Sequence, residues 1–184
     1  MPRPADPSLP PRILAAAYAL WTAGGEGAVT IRDVARKANT TTPSVYAHFA
    51  DRDAIVRGVR AQARRHFDAA MAKSTGVLDG CGRLLDFVEA YPRDYELLFG
   101  YGYRDRAEED VLGAEFAGFE GHIRRAGVRS RDVRPTALAL ACILHGAAMF
   151  RLAHPRPGAW APEFRKATLD ACGALLAERT RAKR

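Results

Sequence analysis

Cysteine is scarce in this chain. Cys81, Cys142 and Cys172 are odd in number and widely spaced, which excludes a disulfide framework or a paired-cysteine zinc motif and makes buried free thiols the expectation. Long apolar runs are missing too. No uninterrupted stretch approaches the about 18 residues of a membrane-spanning helix, so no membrane partner is expected. Period-two alternation is not sustained anywhere, which argues against a sheet. There is no Gly-rich phosphate loop, no nucleophile elbow and no His-Glu-x-x-His, and His122 and His154 lack ligand-type neighbours at a diagnostic spacing. The expectation is therefore no enzyme, no catalytic residues, no metal ligands and no cofactor. The opening Met-Pro-Arg-Pro-Ala-Asp-Pro-Ser-Leu-Pro-Pro has no apolar signal region. It predicts a flexible arm over residues 1–8 and a cytoplasmic protein.

What is present is helical. A length of 184 residues suits one or two small domains, and 48% hydrophobic residues are enough for a core. The net charge of +7 fits a polyanion partner, and its distribution says more. Residues 1–60 hold eight Lys and Arg against five Asp and Glu, whereas residues 81–127 hold six against ten. The N-terminal end is basic and the middle acidic, as expected if one end faces phosphates. The basic tail, Arg179, Arg181, Lys183 and Arg184, reads as a solvated helix end.

Apolar spacing, proline and glycine predict nine helices. The first covers 8–23, with Pro10 and Pro11 in its first turn, a stripe of Ile13, Leu14, Ala17, Leu20 and Trp21, and Gly24-Gly25 at its end. The fourth runs over about 52–73 from an Asp51 cap, with Ile55, Val56, Val59, Ala63, Phe67 and Met71 inward. A fifth follows Gly76 and a sixth opens at Pro92. The last three cover about 105–126, closed by Gly127, then 135–153, capped by Asp132 or begun at Pro135, and 162–179.

The second and third helices form the informative stretch, Thr30 to Phe49. Thr30 with Asp33 three residues on reads as a capping box. Val34, Ala35 and Ala38 form a narrow apolar face, and Asn39 stands where the chain must turn through left-handed angles. Thr42 followed by Pro43 reads as an N-cap and a first helical residue. Val45 and Phe49 point inward, leaving Thr41, Thr42, Ser44, Tyr46, Ala47 and His48 outside or at the ends. This reads as a helix-turn-helix, the alternative being a buried two-helix corner of a larger helical protein. Hydroxyls at the start of its second helix suit base edges, and the N–H groups there suit a phosphate.

With its flanks, Ile13 to Gly27 before and Tyr46-Ala-His-Phe-Ala-Asp-Arg-Asp-Ala-Ile-Val56 after, the stretch closely resembles the N-terminal DNA-binding domain of TetR-family transcriptional regulators. The resemblance covers residues 13–56. Asn39 replaces the usual turn glycine, Arg52 the usual lysine and Thr40 a usual apolar residue. It implies an all-α, nine-helix fold. Residues 1–54 would be the DNA-binding domain, and residues 55–184 a ligand-binding and dimerisation body. It implies a homodimer through the last two helices, rich in Ala and Gly, on a palindromic double-stranded DNA operator. The function implied is a regulator, with repression the first reading, released by a small apolar or aromatic effector. Two alternatives are a ligand-independent DNA-binding regulator and a helical enzyme or sequestering protein that keeps a non-functional helix-turn-helix.

The expected DNA contacts are Thr41, Thr42, Pro43 and Ser44, with Tyr46 and Arg52 on phosphates. His48 is expected either there or capping its neighbour, and Thr30 and Arg32 near the backbone. Half of the aromatic residues lie between Phe87 and Phe119. Phe87, Tyr91, Tyr95, Phe99, Tyr103, Phe116 and Phe119 line a pocket in one reading and fill a core in the other. The resemblance favours the pocket. Ile143 to Phe150 resembles a His-Gly element of one subgroup, which adds His145 and Met149 to the ligand set, the alternative for His145 being a bonded core histidine.

Overall fold

The computed structural model describes residues 6–100, 111–154, 158 and 161–181, with residues 111–116 by backbone alone. Among these the chain is all-α, with nine α-helices and no strand. They are α1 (Leu9–Gly24), α2 (Ile31–Lys37), α3 (Thr42–Tyr46), α4 (Arg52–Met71), α5 (Val77–Ala90), α6 (Pro92–Phe99), α7 (Val111–Arg125), α8 (Ser130–Ala153) and α9 (Ala161–Arg181). The chain clusters into two compact units. The first is Met1–His66 with Arg93–Gly102; the second is Phe67–Pro92 with Tyr103–Arg184. The geometric units part after His66, and the first is discontinuous in sequence.

In the first unit, α1 starts at Ser8, whose N–H and hydroxyl both donate to Asp6, at 2.9 and 2.6 Å. Both prolines sit where a helix has no use for an N–H. The helix ends at Gly25, whose φ of +68 places it in the left-handed region and whose N–H donates to Trp21. Ile13, Ala16, Ala17 and Trp21 are buried, while Leu14 and Leu20 are only partly so. Asp51 starts α4 by accepting the Ala54 N–H at 2.6 Å. Ile55, Val56, Val59 and Ala63 are buried along it; Phe67 and Met71 are partly covered. A methyl group at Gly58 would run into Leu14, so α1 and α4 approach closely there.

In the second unit α5, α7, α8 and α9 share a core of Val77, Cys81, Leu85, Ile123, Val128, Val133, Leu140 and Leu144 with their neighbours. The Arg151 guanidinium reaches Glu89 at 2.7 Å and Arg165 reaches Asp86 at 2.7 Å, fastening α8 and α9 to α5. Cys81 and Cys172 are buried free thiols, and the neighbouring Cys172 and burial together push the Cys81 thiol up. Cys142 departs from expectation, because it is exposed on α8.

Of two further expected helix starts, one lies outside the described residues and the other departs from expectation. The described part of α7 begins at Val111, and residues 105–110 of the expected helix lie outside the described residues. Its end is as expected, with Gly127 at φ +91 and the Val128 N–H returning to Ile123. α8 begins at Ser130, five residues before Pro135. That proline falls in the second turn, where its missing N–H costs one bond near the helix start and does not break the rest. α8 is also the one described helix long and apolar enough, by composition, to cross a membrane. Counting uninterrupted apolar residues overlooks it because Thr136, Cys142 and His145 are scattered along it. Val133, Thr136, Ala137, Leu140, Leu144, Ala147 and Ala148 bury one side of it against the second unit's core.

The turn between α2 and α3 depends on Asn39, the one described non-glycine residue at positive φ, +51. An L residue pays about 1–2 kcal/mol for such angles, and Asn pays least among side-chain-bearing types. Asn39→Gly is expected to melt at or above the parent temperature and Asn39→Ala below it, by circular dichroism. An alanine variant at least as stable as the glycine variant would contradict the turn geometry.

Candidate nucleic-acid interface

α2 begins at Thr30, whose oxygen accepts the Asp33 N–H at 3.1 Å while its hydroxyl donates to the Asp33 carboxylate at 2.6 Å. Half of the expected capping box is therefore present. The Asp33 carboxylate does not return to the Thr30 N–H, which donates instead to Ala28; it binds the Thr30 hydroxyl and Arg36, at 2.6 Å. Val34 and Ala35 are buried. The chain then turns through Ala38 and Asn39.

α3 is shifted by one residue from expectation. Its N-cap is Thr41, not Thr42: Thr41 is extended and its Oγ1 accepts the Ser44 N–H at 3.3 Å. Thr42 and Pro43 are the first two helical residues. The Val45 N–H is taken by the Thr41 carbonyl, and Pro43 has no N–H. Only the Thr42 N–H is left for an outside acceptor at this helix start, fewer than a longer helix would offer.

Val45 is fully buried and pins α3 to the unit, with Phe49 partly covered behind it. The outer surface is then Thr41, Pro43, Tyr46, Ala47 and His48, all exposed, with Thr42 and Ser44 half-buried beside them. Tyr46 is 56% exposed, a large ring with no core to fill. Neither its hydroxyl nor the His48 ring has a protein partner among the described residues. The Ser44 hydroxyl shares a 2.9 Å hydrogen bond with Thr41. Thr30 and Arg32 are exposed at the start of α2. The structure thus brings eight of the nine expected DNA contacts to the surface of one small unit.

Arg52 is placed differently. Its Nε donates to the Val29 carbonyl at 2.8 Å and its Nη2 to the Glu26 carbonyl at 2.8 Å, with the Glu26 carboxylate 3.4 Å from Nη1. The guanidinium is spent on the short 3-10 turn Glu26–Ala28 and the residue after it, which lead into α2. Arg12, which sequence reasoning missed, does the same at the other end of α2. Its Nη2 donates to the carbonyls of Ala38 and Asn39 at 2.9 and 3.4 Å, and Asp6 holds Nη1 at 3.3 Å. Nothing local marks this role for Arg12, since the carbonyls it binds lie more than twenty residues away.

The described members of the aromatic set fall in both units. Phe87 is buried and packs edge-on to Phe67, with ring centroids 5.3 Å apart, and 5.4 Å from Tyr91, which is 41% exposed. Tyr95 is buried 4.9 Å from Phe99, and burial pushes its phenol up. Phe119 is partly buried against the core of the second unit, and His145 and Met149 are half-buried on α8. Tyr103 and the side chain of Phe116 lie outside the described residues. Among the described residues no group of three His, Cys, Asp or Glu side chains is arranged to hold a metal ion.

Residues 13–59 match the family described as bacterial regulatory proteins, tetR family. The match spans most of α1 to the first turns of α4, where the exposed hydroxyls, Tyr46 and Arg52 lie, and begins one residue after Arg12. The whole chain is similar in fold to TetR-type regulators. The transcriptional regulator SCO7222, a TetR from Streptomyces coelicolor, is 20% identical, with 94% of this chain and 98% of that chain covered and a TM-score of 0.69. A putative transcriptional regulator from the same organism, SCO4942, is 22% identical over 91% and 97%, with a TM-score of 0.64. The multidrug binding protein EbrR, solved with imidazole, is 21% identical over 95% and 93%, with a TM-score of 0.61. No curated protein matches the chain. The chain has the nine-helix TetR-type fold, with a helix-turn-helix at its N-terminal end.

Because Arg52 braces backbone, Arg52→Ala is expected to cost about 1–3 kcal/mol of stability. It should leave the salt dependence of DNA binding unchanged. A salt slope smaller by about one would return Arg52 to the phosphate contacts expected from sequence.

Proposed function

We infer that this protein is a dimeric transcriptional regulator that binds a palindromic DNA operator through α3 and its flanks and is released by a small apolar or aromatic molecule. One observation carries the DNA-binding part: Thr41, Tyr46 and His48, with Thr42 and Ser44 half-buried beside them, share one surface at a helix-turn-helix whose entry and turn are each braced by an arginine. Surface polar groups held on a rigid frame are what base and phosphate recognition needs. Tyr46 reaches a phosphate with its hydroxyl, and His48 with a ring N–H. Thr42 and Ser44 face base edges, with Thr41, Pro43, Thr30 and Arg32 against the backbone.

The dimer reading rests on α8 and α9. Leu138, Cys142, His145 and Met149 recur at four-three-four spacing on a side of α8 left partly or wholly exposed, and Ala167, Ala171, Ala174 and Glu178 do so on α9. Two such seams pair across a two-fold axis as a four-helix bundle. Two recognition helices would then reach successive major grooves. Residues 1–54 carry DNA recognition and 55–184 effector binding and pairing. Tyr91, Phe119, His145 and Met149 are the effector candidates that the core has not fully enclosed. EbrR, similar in fold, is described as a multidrug binding protein, which supports an effector reading here. An effector acts only through its differential affinity for the DNA-competent and incompetent states. We place the protein in the cytoplasm and assign no cofactor, membrane partner or catalytic role.

Fluorescence anisotropy with labelled DNA from upstream of the protein's own gene, in excess random DNA at physiological salt, is expected to show saturable binding. Ser44→Ala is expected to relax preference at one operator position. A uniform loss across operator variants would assign Ser44 to the frame. Phe87 and Tyr95 packed as core favour a ligand-independent regulator as second reading; a thermal-shift screen of aromatic cations and acids without any stabilising hit supports it.

A further inference from the structure

Two helix ends and one helix start meet at one end of the second unit. α8 and α9 pack against each other across a short connection, so they run antiparallel. Phe150 near the end of α8 stacks on Phe164 near the start of α9, with ring centroids 5.1 Å apart. Arg179 lies fifteen residues beyond Phe164 and Pro135 fifteen residues before Phe150, each about 22 Å along its helix. Arg179 and Arg181 therefore come level with the first turns of α8. The end of α7 lies there too, because α7 stops at Arg125, α8 begins at Ser130, and Arg134 reaches back to Glu120 at 3.5 Å.

Residues 120–134 and 176–181 carry seven arginines against three carboxylates. Arg124 and Arg134 share Glu120, at 3.1 and 3.5 Å, while Arg129 and Arg131 share Asp132, at 2.7 and 3.9 Å. One carboxylate balances one guanidinium, so each of these acids leaves a positive charge over. Arg125, Arg179 and Arg181 have no carboxylate partner among the described residues, and the Arg179 Nε is enclosed with no acceptor at all. Helix dipoles do not cancel this excess. The ends of α7 and α9 supply about half a negative charge each, and the start of α8 about half a positive one. Arg129, the N-cap of α8, makes no side-chain cap bond, so that helix start is not closed off.

The surroundings select the partner. A membrane-binding surface carries apolar side chains that enter the lipid, and a protein interface centres on aromatic or aliphatic anchors. The exposed large apolar side chains described are Tyr46, Leu78, Tyr91, Leu138 and Phe150, and none falls within 120–134 or 176–181. A phosphodiester backbone asks for neither. It takes spaced cations, and the guanidinium fork matches two phosphate oxygens.

We propose that this arginine cap of the second unit is a second DNA-binding surface, one that holds the phosphate backbone of a duplex without reading its sequence. It shares no residue with the surface at α3 and does not depend on the operator reading.

Anisotropy with a labelled random-sequence duplex, titrated at several salt concentrations, tests the cap on the full chain. Arg124→Gln, Arg125→Gln and Arg131→Gln together are expected to weaken binding at low salt by at least about ten-fold. The log–log salt slope should fall by about two to three, one counterion release per lost phosphate contact. Lysine at the same three positions should restore the slope, since it keeps the charge. The same loss is expected when the three glutamines are placed in a Tyr46→Ala, Arg32→Ala chain. Circular dichroism and light scattering must give the parent's fold and oligomeric state, so that a lost dimer does not mimic a lost contact. Arg125→Gln with Arg131→Gln is the substitute if the triple variant does not fold. Random-duplex affinity and slope unchanged by the glutamines would overturn the proposal. So would lost binding to phosphatidylserine vesicles or polyglutamate with duplex binding intact, which would assign the cap to a membrane or an acidic protein. A chain that shows no operator preference yet loses random-duplex binding on the triple change keeps the cap and gives up the operator reading.

Discussion

Connectors between short helices leave backbone carbonyls without partners, and two guanidinium groups answer for those on either side of α2. Arg12 takes the carbonyls of the turn after it and Arg52 those of the approach before it. Water could satisfy the same oxygens, but it would leave α2 and α3 free to drift. A side chain that brings several fixed donors from a neighbouring helix gives direction as well as satisfaction. The proposed recognition surface at α3 depends on a frame held in this way. Its side chains are short or have few rotatable bonds, so they cannot reach around a misplaced backbone.

The economy of charge follows from the same constraint. The N-terminal part of the chain is rich in arginine, yet two of its arginines are spent inward, leaving Arg32, exposed, among the cations at the helix-turn-helix surface. In the proposed contact with DNA, polar hydroxyls and one phenol then take a larger share. Specificity in such a surface comes from hydrogen-bond geometry more than from long-range attraction, and geometry is what the braces protect.

Much of this was legible in the chain itself. Asn39 stood out because few residues accept a left-handed turn, and the all-helical pattern followed from spacing, proline and glycine. The start of α3 was off by one because two adjacent threonines precede Pro43, and either satisfies the local rule; only the Ser44 N–H decides between them. The start of α8 was misread because a proline in a second turn looks, in sequence, like one in a first. Arg52 is expected on a phosphate because it stands at a family position. Its partners within the chain are carbonyls 23 and 26 residues away, and local patterns carry no such information. Asp94 was missed for a related reason. An acid in the first turn of a helix reads as a favourable dipole partner, and nothing nearby shows that Tyr18, 76 residues earlier, lies upon it.

The discontinuity of the first unit bears on how such proteins can be recombined. A DNA-reading head is commonly treated as a cassette, cut from one chain and grafted onto another. Here the cassette is two pieces of sequence, Met1–His66 and Arg93–Gly102, with part of the second unit threaded between them. A graft that carries only the first piece would leave Tyr18 and His66, the partners of buried Asp94, and the Trp21 indole, which donates to the Arg93 carbonyl, facing a foreign α6. A transplant that keeps its native fit must move the α6 segment as an insert within the recipient.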